Sequence, residues 1–169
     1  MNEKKLTAAS EEELDYSARP FSYQDRGIQT AIVCVNDPVV RENISNSLKT
    51  IDFNVTEPVK VKEALKNLNF HIFNLVVVDE NFAVGPDGIN QILKYLENLS
   101  MAIRRKIFVV LVSANFATMD YMYTYNKSVN LIVNKEDLAE IGLIIKKEIE
   151  ENEYFYHVFK KFYHQYVEI

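Results

Sequence analysis

The amino-acid sequence predicts an α/β domain in which five parallel strands form one doubly wound sheet. Short apolar runs rich in β-branched residues alternate with segments whose apolar residues recur at helical spacing. The connections between these segments are short, and this alternation is typical of right-handed crossovers that cover both faces of a parallel sheet. In such sheets, functional sites form at the carboxyl ends of the strands.

Each predicted element has its own signal in the sequence. The run at residues 30–35, TAIVCV, is almost entirely apolar and rich in β-branched residues, so we expect a strand that is buried on both faces. Asn36 or Asp37 then caps the first helix, and Pro38 fits its first turn. By the same criteria, strands are predicted at 53–58, 73–79, 106–114 and 129–134, and helices at 39–48, 61–68, 89–99, 117–127 and from 136 onward.

The chain divides into three regions by composition. Residues 1–28 are polar and lack sustained apolar periodicity, which predicts a largely disordered linker. The folded domain is predicted at 29–150, and residues 151–169 form an aromatic-rich helical extension. The linker leaves open whether the chain is a fragment of a longer protein.

The extension has two interpretations. Apolar residues recur at intervals of three or four along the last helix, and a break is expected at Asn152. The apolar residues are Ile141, Ile145, Ile149, Tyr156, Phe159, Tyr163 and Tyr166. This stripe is suited to a homodimer formed through the C-terminal helix. Alternatively, the aromatic segment folds back over the fourth and fifth helices of its own domain. In both cases the aromatic side chains are expected to leave water.

Composition limits the kinds of partner. With 19 Lys and Arg against 24 Asp and Glu, the formal net charge is −5, which argues against nucleic-acid binding. The single cysteine, Cys34, lies in an apolar run, so we expect a core residue and no disulfide within the chain. The sequence has no apolar run of membrane-spanning length and no signal peptide, and therefore predicts a cytoplasmic protein without a membrane partner.

Polar residues end several of the predicted strands. Asp79 ends the third, and a carboxylate there is costly unless it is solvated, paired or used. Ser113 and Lys135 fall at the ends of the fourth and fifth. Asp79 is therefore either a reactive group or a structural partner of Lys135, and Ser113 in the second case only caps a loop.

The order of elements over residues 30–150 resembles a response-regulator receiver domain, a CheY-like domain with a flavodoxin-like fold. The resemblance rests also on "VVVDENFAVGPDG", "VLVSA" and "SVNLIVNKED". It implies that Asp79 stands at the phosphoacceptor position, where a partner kinase or a small phosphodonor delivers a phosphoryl group. Ser113 and Lys135 would bind the phosphoryl oxygens, and an acidic pair after the first strand would hold Mg²⁺.

The sequence departs from the family at the acidic pair. Alignment on Pro38 places Val35 and Asn36 on the two metal-holding positions; valine cannot ligate Mg²⁺ and asparagine offers one neutral oxygen. A shift of one residue makes Asn36 and Asp37 a weakened pair, but it would turn the side chains of the strand over. Ile132 also replaces an aromatic residue that the family couples to its Ser or Thr.

These departures predict a degenerate receiver, or pseudo-receiver. We expect no enzyme activity and no cofactor, with phosphorylation weak or lost, and signalling through contact with another signalling protein. The alternative is a working receiver of a two-component phosphorelay, phosphorylated on Asp79 with Mg²⁺ held weakly by Asp37 and Asp79. A flavin-binding doubly wound domain is a third possibility on fold alone.

Overall fold

A computed structural model describes residues 29–167, so the predicted linker at 1–28 lies outside the described part of the chain. Side chains 159, 160 and 163–167 are also outside it. The strands are β1 Gln29–Cys34, β2 Phe53–Thr56, β3 Leu75–Asp79, β4 Phe108–Ser113 and β5 Leu131–Asn134. The helices are α1 Pro38–Lys49, α2 Val61–Phe70, α3 Gln91–Glu97, α4 Met101–Arg104, α5 Tyr121–Asn126 and α6 Ile141–Val167, with a 3₁₀ helix at Lys135–Glu140.

The sheet has five parallel strands in the order β2-β1-β3-β4-β5, which confirms the predicted fold class. Because β1 neighbours both β2 and β3, the direction of winding changes there, and a crevice forms at the carboxyl ends of β1 and β3. β3 is the central strand, so its last residue, Asp79, lies in the middle of that edge.

Alternation along the strands divides the apolar core into two layers. Ile32 and Cys34 face the layer that contains α2 and α3. Ala31 and Val33 face the layer that contains α1 and α6. Each layer is close-packed against one face of the sheet, as expected of strands that are apolar on both sides. Cys34 is the buried core residue that the sequence predicts, and burial raises the pKa of its thiol to about 12.

The sequence does not predict α4, and the fourth predicted helix begins later than expected. α4 is a single turn at Met101–Arg104, just before β4. There the guanidinium of Arg104 donates to the carbonyl oxygens of Ile107 at 2.9 Å and Ser128 at 2.8 Å, and burial lowers its pKa. The fourth predicted helix starts at Tyr121 rather than at 117, because the Asp120 side chain caps it and Met119 before it has a φ of 62°.

The last helix differs from its prediction at both ends. The segment that follows β5 is first a 3₁₀ helix, and α6 begins only at Ile141. From there α6 runs for 27 residues without the break expected at Asn152, a length of about 40 Å at 1.5 Å per residue. Ile141 and Ile145 are buried in the α1 layer, where Gly142 brings the two helices together: a Cβ added to it would lie 3.1 Å from the Ser47 carbonyl oxygen.

Beyond Ile149, none of the described side chains of α6 is buried. The described part of the extension therefore leaves the domain. It does not fold back over the fourth and fifth helices, which was the alternative interpretation of the sequence. No helix within residues 29–167 combines the length and the apolar character needed to cross a membrane.

Candidate functional site at the carboxyl edge of the sheet

Asp79 is a buried carboxylate whose two oxygens both have partners. It is 4% exposed at the end of β3. Its Oδ2 lies 2.7 Å from Lys135 Nζ, and its Oδ1 accepts the N–H of Asn81 at 2.9 Å. A carboxylate removed from water is stabilised by such partners, so this arrangement is already complete without a ligand.

Lys135 reaches Asp79 from two strands away. It follows β5 directly, and β4 lies between β5 and β3. Its side chain therefore extends across the end of β4, and about a third of that side chain stays exposed. The structure thus brings together the two residues that the sequence placed at the ends of the third and fifth strands.

Ser113 also lies at this edge, but its hydroxyl has another partner. The fully buried Ser113 donates to the carboxylate Oε2 of Glu80 at 2.5 Å and accepts the backbone N–H of Asn115 at 3.0 Å. The side-chain amide of Asn115 donates to the same Glu80 oxygen at 3.1 Å. The strand-end pattern predicts Ser113 but not Glu80 or Asn115. Glu80 directly follows Asp79, and Asn115 lies two residues after Ser113.

Each of the three residues after β1 has a hydrogen-bonded partner. The carbonyl oxygen of Val35 accepts from Arg41 at 3.0 Å, and its side chain is fully buried. The Asn36 amide donates to the carbonyl oxygen of Asn81 at 3.1 Å. Asp37 Oδ1 accepts two backbone N–H groups at 2.8 and 3.2 Å and so caps α1.

Within residues 29–167, no group of three or more His, Cys, Asp and Glu side chains is arranged to hold a metal ion. Asp37 and Asp79, the weak Mg²⁺ pair suggested by sequence, are each already bonded, one to a helix N-terminus and the other to Lys135.

Asn90 organises the loop that follows Asp79 and was not identified from sequence. It is 9% exposed, and its amide donates to the carbonyl oxygens of Phe82 at 2.7 Å and Asp79 at 3.3 Å. Its Oδ1 accepts the N–H of Ile92 at 3.0 Å and caps α3. One side chain thus ties the loop to the next helix, and an Asn directly before a helical pattern is the signal that could have found it.

The loop between β4 and α5 is held from the opposite side as well. The side-chain amide of Asn134 donates to the carbonyl oxygen of Phe116, and its backbone N–H donates to the Thr118 hydroxyl, both at 2.8 Å. That hydroxyl donates in turn to the Asp137 carboxylate. Ile132, which stands where the resembled family has an aromatic residue, is fully buried in β5 and belongs to the core.

Comparison with solved structures identifies the fold. A CheY-like response regulator receiver domain protein from Methanospirillum hungatei superimposes with a TM-score of 0.57 at 16% identity, over 75% of this chain and 97% of the other. The chemotaxis response regulator CheY4 of Vibrio cholerae superimposes with a TM-score of 0.56 at 13% identity, over 74% of this chain and 98% of the other. A response regulator from Thermotoga maritima superimposes with a TM-score of 0.55 at 20% identity, over 72% of this chain and 98% of the other.

This chain therefore has the receiver fold, as the sequence predicted, and about a quarter of it lies outside each match. At these identities the likeness establishes the fold and not the chemistry of the site. No family model matches the sequence, and neither does any curated protein.

Proposed function

We propose that this chain is a degenerate receiver: a signalling module without enzyme activity that acts through contact with another signalling protein. The receiver fold suggests a role in two-component signal transduction. The observation that supports the degenerate form is the closed Asp79–Lys135 pair at 2.7 Å, beside a first strand that ends in Val35 and Asn36. In this proposal Asp79 is a structural partner of Lys135, and its phosphorylation is weak or lost.

The physical reason is charge. A carboxylate that attacks phosphorus must approach a dense negative group, and catalysis of that step depends on positive charge held close to the phosphoryl oxygens. Mg²⁺ needs hard oxygen ligands, usually including carboxylates. Val35 offers none, Asn36 offers one neutral oxygen, and Asp37 Oδ1 is turned toward the start of α1. Lys135 alone supplies one unit of charge, which already neutralises Asp79.

The test is covalent labelling with a small acyl phosphate and Mg²⁺, read by intact-protein mass spectrometry. We expect a phosphoryl adduct on only a few per cent of the chains, with Asp79→Asn as the blank. Asn36→Asp, which adds a carboxylate at the same edge, is expected to raise the yield. A stoichiometric adduct on the unaltered chain that disappears in Asp79→Asn would show that the protein is a working receiver.

That working receiver is the second candidate function. It is favoured by one observation, namely that Asp79, Ser113 and Lys135 lie at the ends of three adjacent strands. In that case Asp79 would accept the phosphoryl group with Mg²⁺ bound weakly nearby.

We further propose that contact between two copies of the chain is made by α6 beyond residue 149. Tyr154 is 86% exposed, Phe155 78%, Phe162 54% and Tyr156 40%. At 100° per residue, Tyr154, Phe155 and Phe162 lie within about 100° of one another around α6, whereas Tyr156 points to another side. At about 200 Å² for a whole aromatic side chain, these three expose roughly 450 Å² on one face. Two such faces give about 900 Å², the size of a weak interface, and a face of this size is comparable with the largest apolar patch on a typical monomer, which is often functional.

Charge favours a second copy in antiparallel orientation. The acidic residues Glu150, Glu151 and Glu153 precede the aromatic segment, and the basic residues Lys160 and Lys161 lie within it. Two parallel extensions would place like charges together, whereas two antiparallel ones place each acidic block against a basic block. The extension is therefore complementary to itself when reversed.

A further inference from the structure

The carboxylate of Glu80 lies at the end of β4, although the residue itself directly follows Asp79. The Ser113 hydroxyl donates to it at 2.5 Å and the Asn115 side-chain amide at 3.1 Å. The backbone N–H of Asn115 donates to Ser113 Oγ at 3.0 Å and closes the ring of contacts. We call these three residues, Glu80, Ser113 and Asn115, the strand-end clasp.

The clasp uses the donors that an external anion would need. A hydroxyl has one proton, and the proton of Ser113 is committed to Glu80. A hydrogen bond between a hydroxyl and an ionised carboxylate is about twice as strong as one between neutral groups. Ser113 therefore cannot donate to a second oxyanion unless Glu80 leaves.

We propose that Glu80 is a built-in anionic ligand, which fills the Ser113–Asn115 site and excludes any external oxyanion from it. Lys135 is already paired with Asp79, so Asp79, Glu80 and Lys135 together carry one net negative charge. An arriving phosphate would find no free donor on Ser113 and would be repelled by that charge. The inference rests on the proposed function only in treating this edge as the site.

The same contacts fix the loop at residues 114–120. Glu80 holds its start from the β3 side, and Asn134 and Asp137 hold Phe116 and Thr118 from the β5 side. α5 begins at Tyr121, directly after this loop, and its exposed side chains include Tyr121, Met122 and Tyr125. The clasp thus holds the loop before α5, and with it the exposed face of α5, in one conformation without an added ligand.

Hydrogen–deuterium exchange tests the effect on the loop. Glu80→Ala removes both acceptors, and we expect amides at 114–118 to exchange about tenfold faster while those of β3 and β5 do not change. Glu80→Gln keeps one acceptor oxygen for Ser113 and should retain most of the protection. Glu97→Gln, which alters an exposed carboxylate at the end of α3, is the matched control. Unchanged exchange at 114–118 in Glu80→Ala would overturn the proposal.

Titration with inorganic phosphate, followed through the backbone amide signals of Asn115 and Lys135, tests the exclusion. We expect no saturable shift in the unaltered chain and a gain in affinity of about tenfold or more in Glu80→Ala, because the Ser113 hydroxyl is freed to donate and a like charge next to the site is removed. The double variant Glu80→Ala with Ser113→Ala should lose the part of the gain that depends on the hydroxyl. If Glu80→Ala binds phosphate no better than the unaltered chain, the proposal is wrong.

These results are independent of the phosphorylation test. A stoichiometric acyl-phosphate adduct on the unaltered chain would refute the degenerate function, yet the exchange of the loop would still show whether the clasp holds it. Conversely, an unprotected loop in a chain that accepts no phosphoryl group would refute the clasp alone.

Discussion

At the scale of single residues, Asp79 and Lys135 differ in how strongly each charge depends on its partner for stabilisation. Asp79 is almost fully buried, whereas about a third of the Lys135 side chain reaches solvent. Loss of Lys135 therefore leaves a charge in the protein interior, and loss of the Asp79 charge leaves an ammonium group that can turn toward water. The desolvation cost in the two cases is unequal.

This asymmetry predicts different costs for two substitutions. Lys135→Met should lower the free energy of unfolding by about 2 kcal/mol, less than the ~3–5 kcal/mol for breaking a fully buried pair, because Lys135 is partly exposed. Asp79→Asn should cost about 1 kcal/mol or less, since its side-chain oxygen can still accept the Asn81 N–H. Urea denaturation measures both, with Lys66→Met on the exposed side of α2 as the control. Equal costs for the two substitutions would contradict the assignment.

At the scale of an element, α1 depends on Asp37 for its start. The side chain accepts two of the N–H groups that have no partner within the helix, and Pro38 occupies the first turn. The Asp37 carboxylate, which the sequence also offers as a weak Mg²⁺ ligand, is therefore engaged at the start of α1.

Substitution of this cap separates the two roles. Asp37→Ala should lower the free energy of unfolding by about 1 kcal/mol, whereas Asp37→Asn, which also caps well, should cost a few tenths of a kcal/mol. Thermal or urea unfolding with and without Mg²⁺ measures the effect. If millimolar Mg²⁺ stabilised the unaltered chain and that stabilisation vanished in Asp37→Asn, the carboxylate would be a metal ligand instead.

The contact of α6 with the domain includes a buried acid. Glu148 is 9% exposed, and its pKa is raised, first by burial and then by the nearby Glu151, although Lys147 acts in the opposite direction. Because the raised pKa means that folding favours the protonated form, the ionised carboxylate destabilises the folded state near neutral pH.

Glu148→Gln should therefore raise the free energy of unfolding at pH 7, by about 0.5 kcal/mol. The gain should shrink as the pH falls through the ordinary glutamate pKa of about 4.3, because below it the carboxyl group becomes protonated in both the folded and the unfolded chain. Urea denaturation between pH 4 and 7 checks this dependence, with the exposed Glu150→Gln as the control. A gain that does not change with pH would rule out the buried charge as its cause.

At the scale of the whole molecule, the sequence was sufficient for the sheet. Continuous apolar runs located β1, β3, β4 and β5, because a strand buried on both faces has few polar positions to obscure it. The edge strand β2, FNVT, is partly exposed and was located by its short β-branched and aromatic pattern instead. It was insufficient for α4, since four residues make about one turn and show no periodicity. It also overestimated Asn152 as a break, because one residue of modest helix propensity costs less than about 1 kcal/mol in a helix of 27 residues.

The same division applies to the strand-end edge. Topology alone predicts that Asp79, Ser113 and Lys135 converge, since parallel strands end at one edge of the sheet. The bonds from Ser113 and Asn115 to Glu80 and the carbonyl contacts of Asn90 depend on the paths of loops beyond the strands. Periodicity contains no information about those paths, so the partners of the predicted residues came only from the structure.

The antiparallel pairing of α6 predicts a specific pattern of disulfide cross-links. If the acidic block of one copy lies against the basic block of another, Glu153→Cys and Lys161→Cys chains should form few disulfides alone and should cross-link efficiently when mixed. A parallel pair would give the reverse, because each position would then meet itself. The native thiol contributes little background, since burial raises the pKa of Cys34 to about 12 and only the thiolate reacts.

Cross-link yields on non-reducing gels should be read beside the mass in solution from light scattering. We expect a dimer for the unaltered chain and a folded monomer after truncation at residue 151, because the buried contacts of α6, at Ile141 and Ile145, precede the cut. Tyr154→Ser with Phe155→Ser should shift the full chain toward monomer, since exposed aromatics dominate the proposed interface. A monomer of the unaltered chain at ~100 µM would exclude self-association through α6, and its aromatic surface would then belong to a different protein partner.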